Sequence, residues 1–251
     1  RYGTENNITL WNKYLRNETQ YAVDVDAGFG KYRYFMIDST QEYGLKTLFS
    51  LYGEAKQSKL DHLEKMINYG DPSQINETFA FAHHPFNEVP SEKSTTGKDY
   101  GRLLKETGAP IYHVGHLHYE GLYKNYGNFT ELHAPSFKDE YHFRISVVDN
   151  DMYSFSDLTL HEGPYVVITN PTDARFYNEE MPLEKLKTTE QIRTLILSKE
   201  SITSAYAKID GKIVGNLTDA NNNNIWTLEY DPSQYTDGFH ELEIIVHSGD
   251  E

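Results

Sequence analysis

The stretch Thr78-Phe79-Ala80-Phe81-Ala82-His83-His84-Pro85, answered further on by Ile111-Tyr112-His113-Val114-Gly115-His116-Leu117-His118, decides how this chain is read. Each is a short apolar run that breaks at Pro or Gly, the pattern of a buried strand entering a loop. Between them Asp99 to Thr107 carries helical signals and is closed by Gly108 and Pro110. Strand, helix, strand predicts parallel pairing with the helix covering the sheet. In open sheets of this kind ligands bind outside the carboxyl ends of the strands, where His83, His84, His116 and His118 fall. Neutral imidazole is a good ligand for Zn, Mn and Fe, so several rings converging there can hold a metal.

Outward from this core the alternation continues. Lys31 to Ile37 reads as an aromatic-rich strand ending at Asp38, and Leu60, Leu63 and Ile67 recur at helical spacing between Glu54 and Tyr69, before Gly70. After Glu131 the pattern turns to strands without helices, at Tyr141 to Val148 and Met152 to Leu160. Beyond Gly163 short strands alternate with turn signals: Tyr165 to Thr169, Ile192 to Leu197, Ser204 to Ile209 with a hairpin turn at Asp210-Gly211, and Ile225 to Tyr230. His240, Leu242, Ile244 and Val246 alternate in the last of them. This is the signature of a small β-sandwich. The expected organisation is α+β over residues 1–162 and an all-β sandwich over 163–251.

Composition narrows the classes. With 23 Lys and Arg against 38 Asp and Glu, the net charge of −15 opposes a polyphosphate backbone and argues against nucleic acid as a partner. Twenty Tyr and twelve Phe favour half-buried pleated surfaces. No apolar run reaches the roughly 20 residues needed to span a bilayer, and the opening Arg1-Tyr2-Gly3 reads as the start of a processed or truncated piece. The chain has no cysteine, so disulfides say nothing of the compartment. Glycosylation sequons begin at Asn7, Asn17, Asn76, Asn128 and Asn216, against about two expected by chance, and point to a secreted or lumenal glycoprotein carrying N-glycans.

His-His-Pro after one strand and Gly-His-Leu-His after the next resemble the calcineurin-like metallophosphoesterases. Phe29-Gly30-Lys31-Tyr32, Asp38-Ser39-Thr40, Tyr153 to Leu158, Val167 to Pro171, Ser201 to Ser204 and Lys208 to Gly211 sharpen this into a resemblance to the transmembrane protein 62 family, from about Tyr21 to His247. The resemblance implies a lumen-facing, four-layer phosphoesterase-like domain of two sheets flanked by helices. An Ig-like sandwich and then membrane helices would follow it. It implies that His83, His116 and His118 ligate a two-metal site of Zn, Mn, Fe or Mg, with His84 behind them or against substrate. Two such cations lower the pKa of water and stabilise the transition state of phosphoester hydrolysis.

The family's Asp-x-His, Gly-Asp and Gly-Asn-His motifs do not occur here, and without a bridging carboxylate three imidazoles cannot hold two hard cations about 3.5–4 Å apart. The expectation is therefore the C-terminal part of a phosphoesterase-like domain. No catalytic residue is assigned within this chain, and the rest of the same protein or another subunit would cover the open sheet edge. The competing reading is a non-catalytic structural or adhesive glycoprotein on the same scaffold. A sugar- or protein-binding sandwich rests on fold analogy alone. Among other residues, His113 and His133 are expected to be hydrogen-bonded structural groups, His62 and His240 surface or sandwich residues, Trp226 core, and Asp38 a cap.

Overall fold

The computed structural model describes residues 18–41, 52–118, 123–127, 129–174 and 190–249, and the chain divides into two compact units, Arg1–Pro135 and Ser136–Glu251. The sequon positions Asn7, Asn17 and Asn128 lie outside the described residues.

The first unit is built on one sheet. Its strands are β1 (Tyr21–Asp26), β2 (Lys31–Met36), β3 (Glu77–Phe81), β4 (Ile111–Val114), β5 (Tyr123–Asn125) and β6 (Thr130–His133), in spatial order β1-β2-β3-β4-β6-β5. The inner four run parallel, and β1 and β5 close the edges antiparallel. Helix α1 (Gln57–Ile67) links β2 to β3, and α2 (Tyr100–Glu106) links β3 to β4. Leu60, Leu63 and Met66 form the buried stripe of α1, and Leu103 and Leu104 that of α2. They pack with Phe35, Ala80, Tyr112 and Val114 of the sheet into one core. Asp99 caps α2 by accepting from the Arg102 amide at 2.9 Å. Gly108 ends it in left-handed backbone at φ 71°, a conformation that costs glycine no steric penalty. Helix α1 begins at Gln57 rather than Glu54 because Ala55 is held in extended backbone by a bridge to Ser91.

On the opposite face, alternation along the strands sets out Tyr34, Phe79, Phe81 and His113. Tyr34 stacks on Phe79 at 5.3 Å and Phe81 on His113 at 4.4 Å between ring centroids. Among the described residues this unit holds a single sheet; the second sheet of the expected four-layer arrangement is not among them.

In the second unit a hairpin of β7 (His142–Asp149) and β8 (Met152–Thr159) precedes two three-stranded sheets. One has β9 (Tyr165–Asn170), β10 (Gln191–Leu197) and β13 (Ile225–Glu229), in order β13-β10-β9; the other has β11 (Ile202–Ile209), β12 (Lys212–Asn216) and β14 (Leu242–Ser248), in order β12-β11-β14. Ile192, Ile196, Ala205, Ala207 and Leu217 are buried between them, with Trp226, Leu228, Leu242, Ile244 and Val246 packed around. Two sheets sharing one apolar interior make a sandwich. The second compact unit begins at Ser136 and so includes the β7–β8 hairpin. The β7–β8 hairpin sorts with the C-terminal unit because it is bonded into that unit. Asp149 accepts from Thr169 Oγ1 at 2.7 Å and forms a fork with the Arg193 guanidinium at 2.8 and 3.0 Å, and Thr172 donates its hydroxyl to the Tyr153 carbonyl.

The β11–β12 turn uses Asp210 and Gly211, both at positive φ, as a two-residue hairpin requires. The Asp210 carboxylate also accepts from His240 Nδ1 at 2.7 Å, while His240 Nε2 reaches the Thr236 carbonyl at 2.8 Å. Both ring nitrogens face acceptors, so the imidazolium is the form that fits. The Asp210 hydrogen bond, with the Thr236 carbonyl next, raises the His240 pKa, and the same contact holds Asp210 below the usual carboxylate range. The sign follows from linkage: the His240 contribution is full below its unfolded pKa of about 6.5 and is lost as pH rises through the raised folded value. The Asp210 contribution is lost only on acidification. The melting temperature of the wild-type protein is expected to decline as pH rises above about 6.5 by a component absent from His240→Asn. Parallel curves for the two proteins would refute this assignment.

Candidate metal centre

The parallel strands β2, β3 and β4 all deliver their carboxyl ends to one edge of the sheet, and each ends in polar residues. Past β2 come Asp38 and Ser39, past β3 His83 and His84, and past β4 His116 and His118. Backbone pairing continues into the loops: the Ala82 amide donates to the His113 carbonyl at 2.9 Å, and the Gly115 amide to the His83 carbonyl at 3.0 Å. The two histidine segments are thereby locked side by side.

The rings of His83, His84 and His116 converge, with one candidate ligand nitrogen from each lying within 4.8 Å of the others. His116 Nδ1 stands 3.2 Å from His83 Nε2. Two nitrogens bound to one tetrahedral zinc at 2.0–2.1 Å lie about 3.3 Å apart, so this pair already has the spacing a cation needs. The His84 ring centroid lies 4.8 Å from that of His83 and 4.7 Å from that of His116. His84 takes the place expected for His118 in the converging group, which does not include His118. A tight reversal explains the difference. His116 and His118 both adopt left-handed backbone, at φ 70° and 56°, and the Leu117 amide donates to the Gly115 carbonyl at 2.9 Å. The turn brings His116 to the cluster while His118 stays exposed, close enough to help lower the His83 pKa. Left-handed backbone at two non-glycine residues is strain of the kind that gathers at functional sites.

The loop after β3 is fixed from several sides. Ser39 Oγ lies 2.9 Å from His84 Nδ1 and accepts from the His84 amide at 3.3 Å. The buried Tyr112 hydroxyl donates to the His84 carbonyl at 2.9 Å and sits 2.9 Å from the Tyr100 hydroxyl. Behind Pro85, the Phe86 amide donates to Glu131 at 2.6 Å, and Glu131 also meets His133 Nε2 at 2.8 Å. Gly53 closes the far side: a Cβ there would stand 2.7 Å from the Ser39 carbonyl oxygen and 2.9 Å from the His84 ring. Gly53→Ala is expected to destabilise the protein by about 1–3 kcal/mol, since backbone blocks the new methyl. Urea unfolding checks this, and an unchanged midpoint would contradict the packing described.

Charge favours the cluster as a ligand set. Burial, then the neighbouring His83 and His116 rings and the Lys59 ammonium, pushes the His84 imidazole down to about 4. His83 is likewise lowered, first by burial and then by His116 and His118. Both rings are neutral at physiological pH, the form that binds a metal. Three imidazoles are a sufficient protein set for one Zn-like ion with a fourth position open. The converging group contains no carboxylate, so it does not match a bridged pair of cations.

Asp38 takes the capping role expected of it. Its carboxylate accepts from the Thr40 amide and hydroxyl and the Thr19 hydroxyl and pairs with Lys59 at 3.2 Å. Burial alone would raise its pKa, but these partners hold it below the ordinary value. His113 is buried in its aromatic stack and His133 in its pair with Glu131. Of the sequon positions, Asn76 and Asn216 are exposed.

Sequence reasoning missed Ser39 as a His84 partner, Gly53 as the residue that makes room for His84, and Glu88. The last stands in the short turn Phe86–Glu88, where its Oε2 lies 3.5 Å from His116 Nε2. Only its nearness to His-His-Pro in the chain could have marked it.

Comparison with known proteins defines the class of the second unit first. Residues 160–248 match the family model described as the TMEM62 Ig-like domain, so the sandwich is Ig-like. Over 225 residues the chain is similar to transmembrane protein 62 of Mus musculus, at 30% identity. That alignment covers 87% of this chain and 34% of the relative, so the chain spans about a third of the length of the curated relative it matches. The relative is by name a transmembrane protein. No helix among the described residues here is long and apolar enough to cross a membrane.

Proposed function

We propose that the first unit supplies the histidine-bearing part of a metal-dependent phosphoester hydrolase in a lumenal or extracellular, membrane-anchored protein. The observation that carries this reading is the convergence of His83, His84 and His116 at the carboxyl edge of a parallel sheet. These three rings would hold one divalent cation, and His118 would serve a second cation or the substrate. The chemistry a divalent cation supplies when bound is polarisation of a phosphoryl oxygen and activation of water. The protein's own part is to keep the rings neutral and fixed, through Ser39, Gly53 and Tyr112 around His84 and the strained turn at His116. The carboxylates a second cation requires would come from elsewhere in the protein or from another subunit. Exposed Val25 and Phe29 on the β1–β2 edge suit such a cover.

A second reading, a structural or adhesive glycoprotein that retains the scaffold without turnover, is favoured by two observations. The converging group lacks a carboxylate, and Asn76 and Asn216 are exposed where a glycan fits. Hydrolysis of chromogenic phosphomono- and diesters by protein loaded with Zn or Mn separates the two. Turnover that disappears with His116→Ala supports the enzyme, and no turnover by the longest native form removes it. A glycosidase-sensitive mass supports the lumenal or extracellular placement, and no shift at any sequon overturns it.

A further inference from the structure

The metal reading leaves open why His116 should present Nδ1, rather than the less hindered Nε2, to the cluster. The ring lies with Nδ1 3.2 Å from His83 Nε2 and its other nitrogen turned outward, 3.5 Å from Glu88 Oε2. Glu88 is held there by its backbone, since its amide donates to the Pro85 carbonyl at 3.0 Å and its carbonyl accepts from the Gly53 amide at 2.8 Å. The Phe86–Glu88 turn is thus pinned at both ends to the segments that shape the His84 pocket. A carboxylate facing Nε2 favours the tautomer that carries its proton there, which leaves Nδ1 with a free lone pair. Carboxylates placed behind ligating histidines in this way fix the ring and raise its basicity.

We propose that Glu88 is a positioning residue: its carboxylate sets the His116 tautomer and aims Nδ1 into the His83–His84–His116 cluster. This deepens the reading of that cluster as a metal centre and rests on it for its use, though the tautomer itself exists without a cation. In the metal-free protein the His83 Nε2–H donates to His116 Nδ1. Were His83 Nε2 and His116 Nδ1 to serve as ligands instead, the His83 proton would reside on its Nδ1. The assignment also separates two carboxylates close to the same loop. Glu131 holds the Phe86 backbone and His133. Glu88 instead faces a clustered ring directly, its Oε2 3.5 Å from His116 Nε2.

The test is long-range proton–nitrogen NMR of the whole chain with nitrogen-15-labelled histidine, with zinc titration alongside. In metal-free wild type His116 is expected as the Nε2–H tautomer, and Glu88→Ala is expected to give a mixture of the two. Glu88→Gln should restore the wild-type pattern, because an amide oxygen still accepts from Nε2–H. Zinc affinity of Glu88→Ala should fall about 10- to 100-fold, as is typical when a partner behind a ligand is removed. A wild-type tautomer in Glu88→Ala, or unchanged zinc affinity in that variant, overturns the role of Glu88. Wild-type protein that shows the tautomer and its Glu88 dependence but binds no zinc would sustain the Glu88 assignment and bring down the metal reading.

Discussion

His116→Ala is expected to weaken zinc binding by more than the roughly 10- to 100-fold that losing an outer partner costs, because a ligand atom itself disappears. His116 is the hinge of the cluster: it stands 3.2 Å from the His83 ring nitrogen and 4.7 Å between centroids from His84. Its position depends on left-handed backbone at φ 70°, which the Leu117 amide stabilises by donating to Gly115. Alanine removes the imidazole and also fits that backbone less well than histidine, which visits it more readily. Isothermal titration with zinc measures the effect, with His62→Ala on α1 as a control that should bind like wild type. Equal affinities for wild type and His116→Ala would mean that the three rings are neighbours without a common ligand.

The second large effect is on stability. Glu131 and His133 are each 2% exposed and meet at 2.8 Å, while the second Glu131 oxygen takes the Phe86 amide at 2.6 Å. Glu131→Ala strips a buried imidazole and a backbone amide of their acceptor in one step. Leaving a buried donor without its acceptor costs about 1–3 kcal/mol, and here two donors are affected. Glu131→Gln keeps an acceptor oxygen and should lose much less. Urea unfolding of the three proteins decides the matter, and a loss under about 1 kcal/mol for Glu131→Ala would show that water or another group replaces the carboxylate. Since the same oxygen anchors the loop just past His-His-Pro, the alanine variant should also bind zinc more weakly than its remaining folded fraction explains.

Much of the architecture was legible because local signals and tertiary use agree. Apolar runs broken by Pro85 and Gly115 are strands whose ends meet, and Leu60 and Leu63 at helical spacing are the buried stripe of α1. The change of pattern beyond Gly163 marks the Ig-like sandwich. Strand β1 was not read, since its Asp24 and Asp26 suit an exposed edge and interrupt the apolar pattern. Strands β5 and β6 are too short to carry a period. The long-range bonds that tie the β7–β8 hairpin to β9 and β10, from Asp149 to Thr169 and Arg193, carry no local pattern in the sequence. At the candidate site the motifs marked the right strand ends but not which rings meet. That choice turns on the backbone at His116 and on Ser39 and Gly53, which lie far from His84 in sequence and press against it in space. Glu88 was hidden for the opposite reason: it is near in sequence but carries no pattern of its own.

Everything proposed for the first unit turns on whether these imidazoles share an ion. Zinc titration followed by elemental analysis of the desalted protein reads this directly for wild type and for His83→Ala, His84→Ala and His116→Ala. The account predicts one equivalent of zinc per wild-type chain and a clear deficit in each of the three variants. Metal-free wild-type protein after titration, or full occupancy in all three variants, would contradict it.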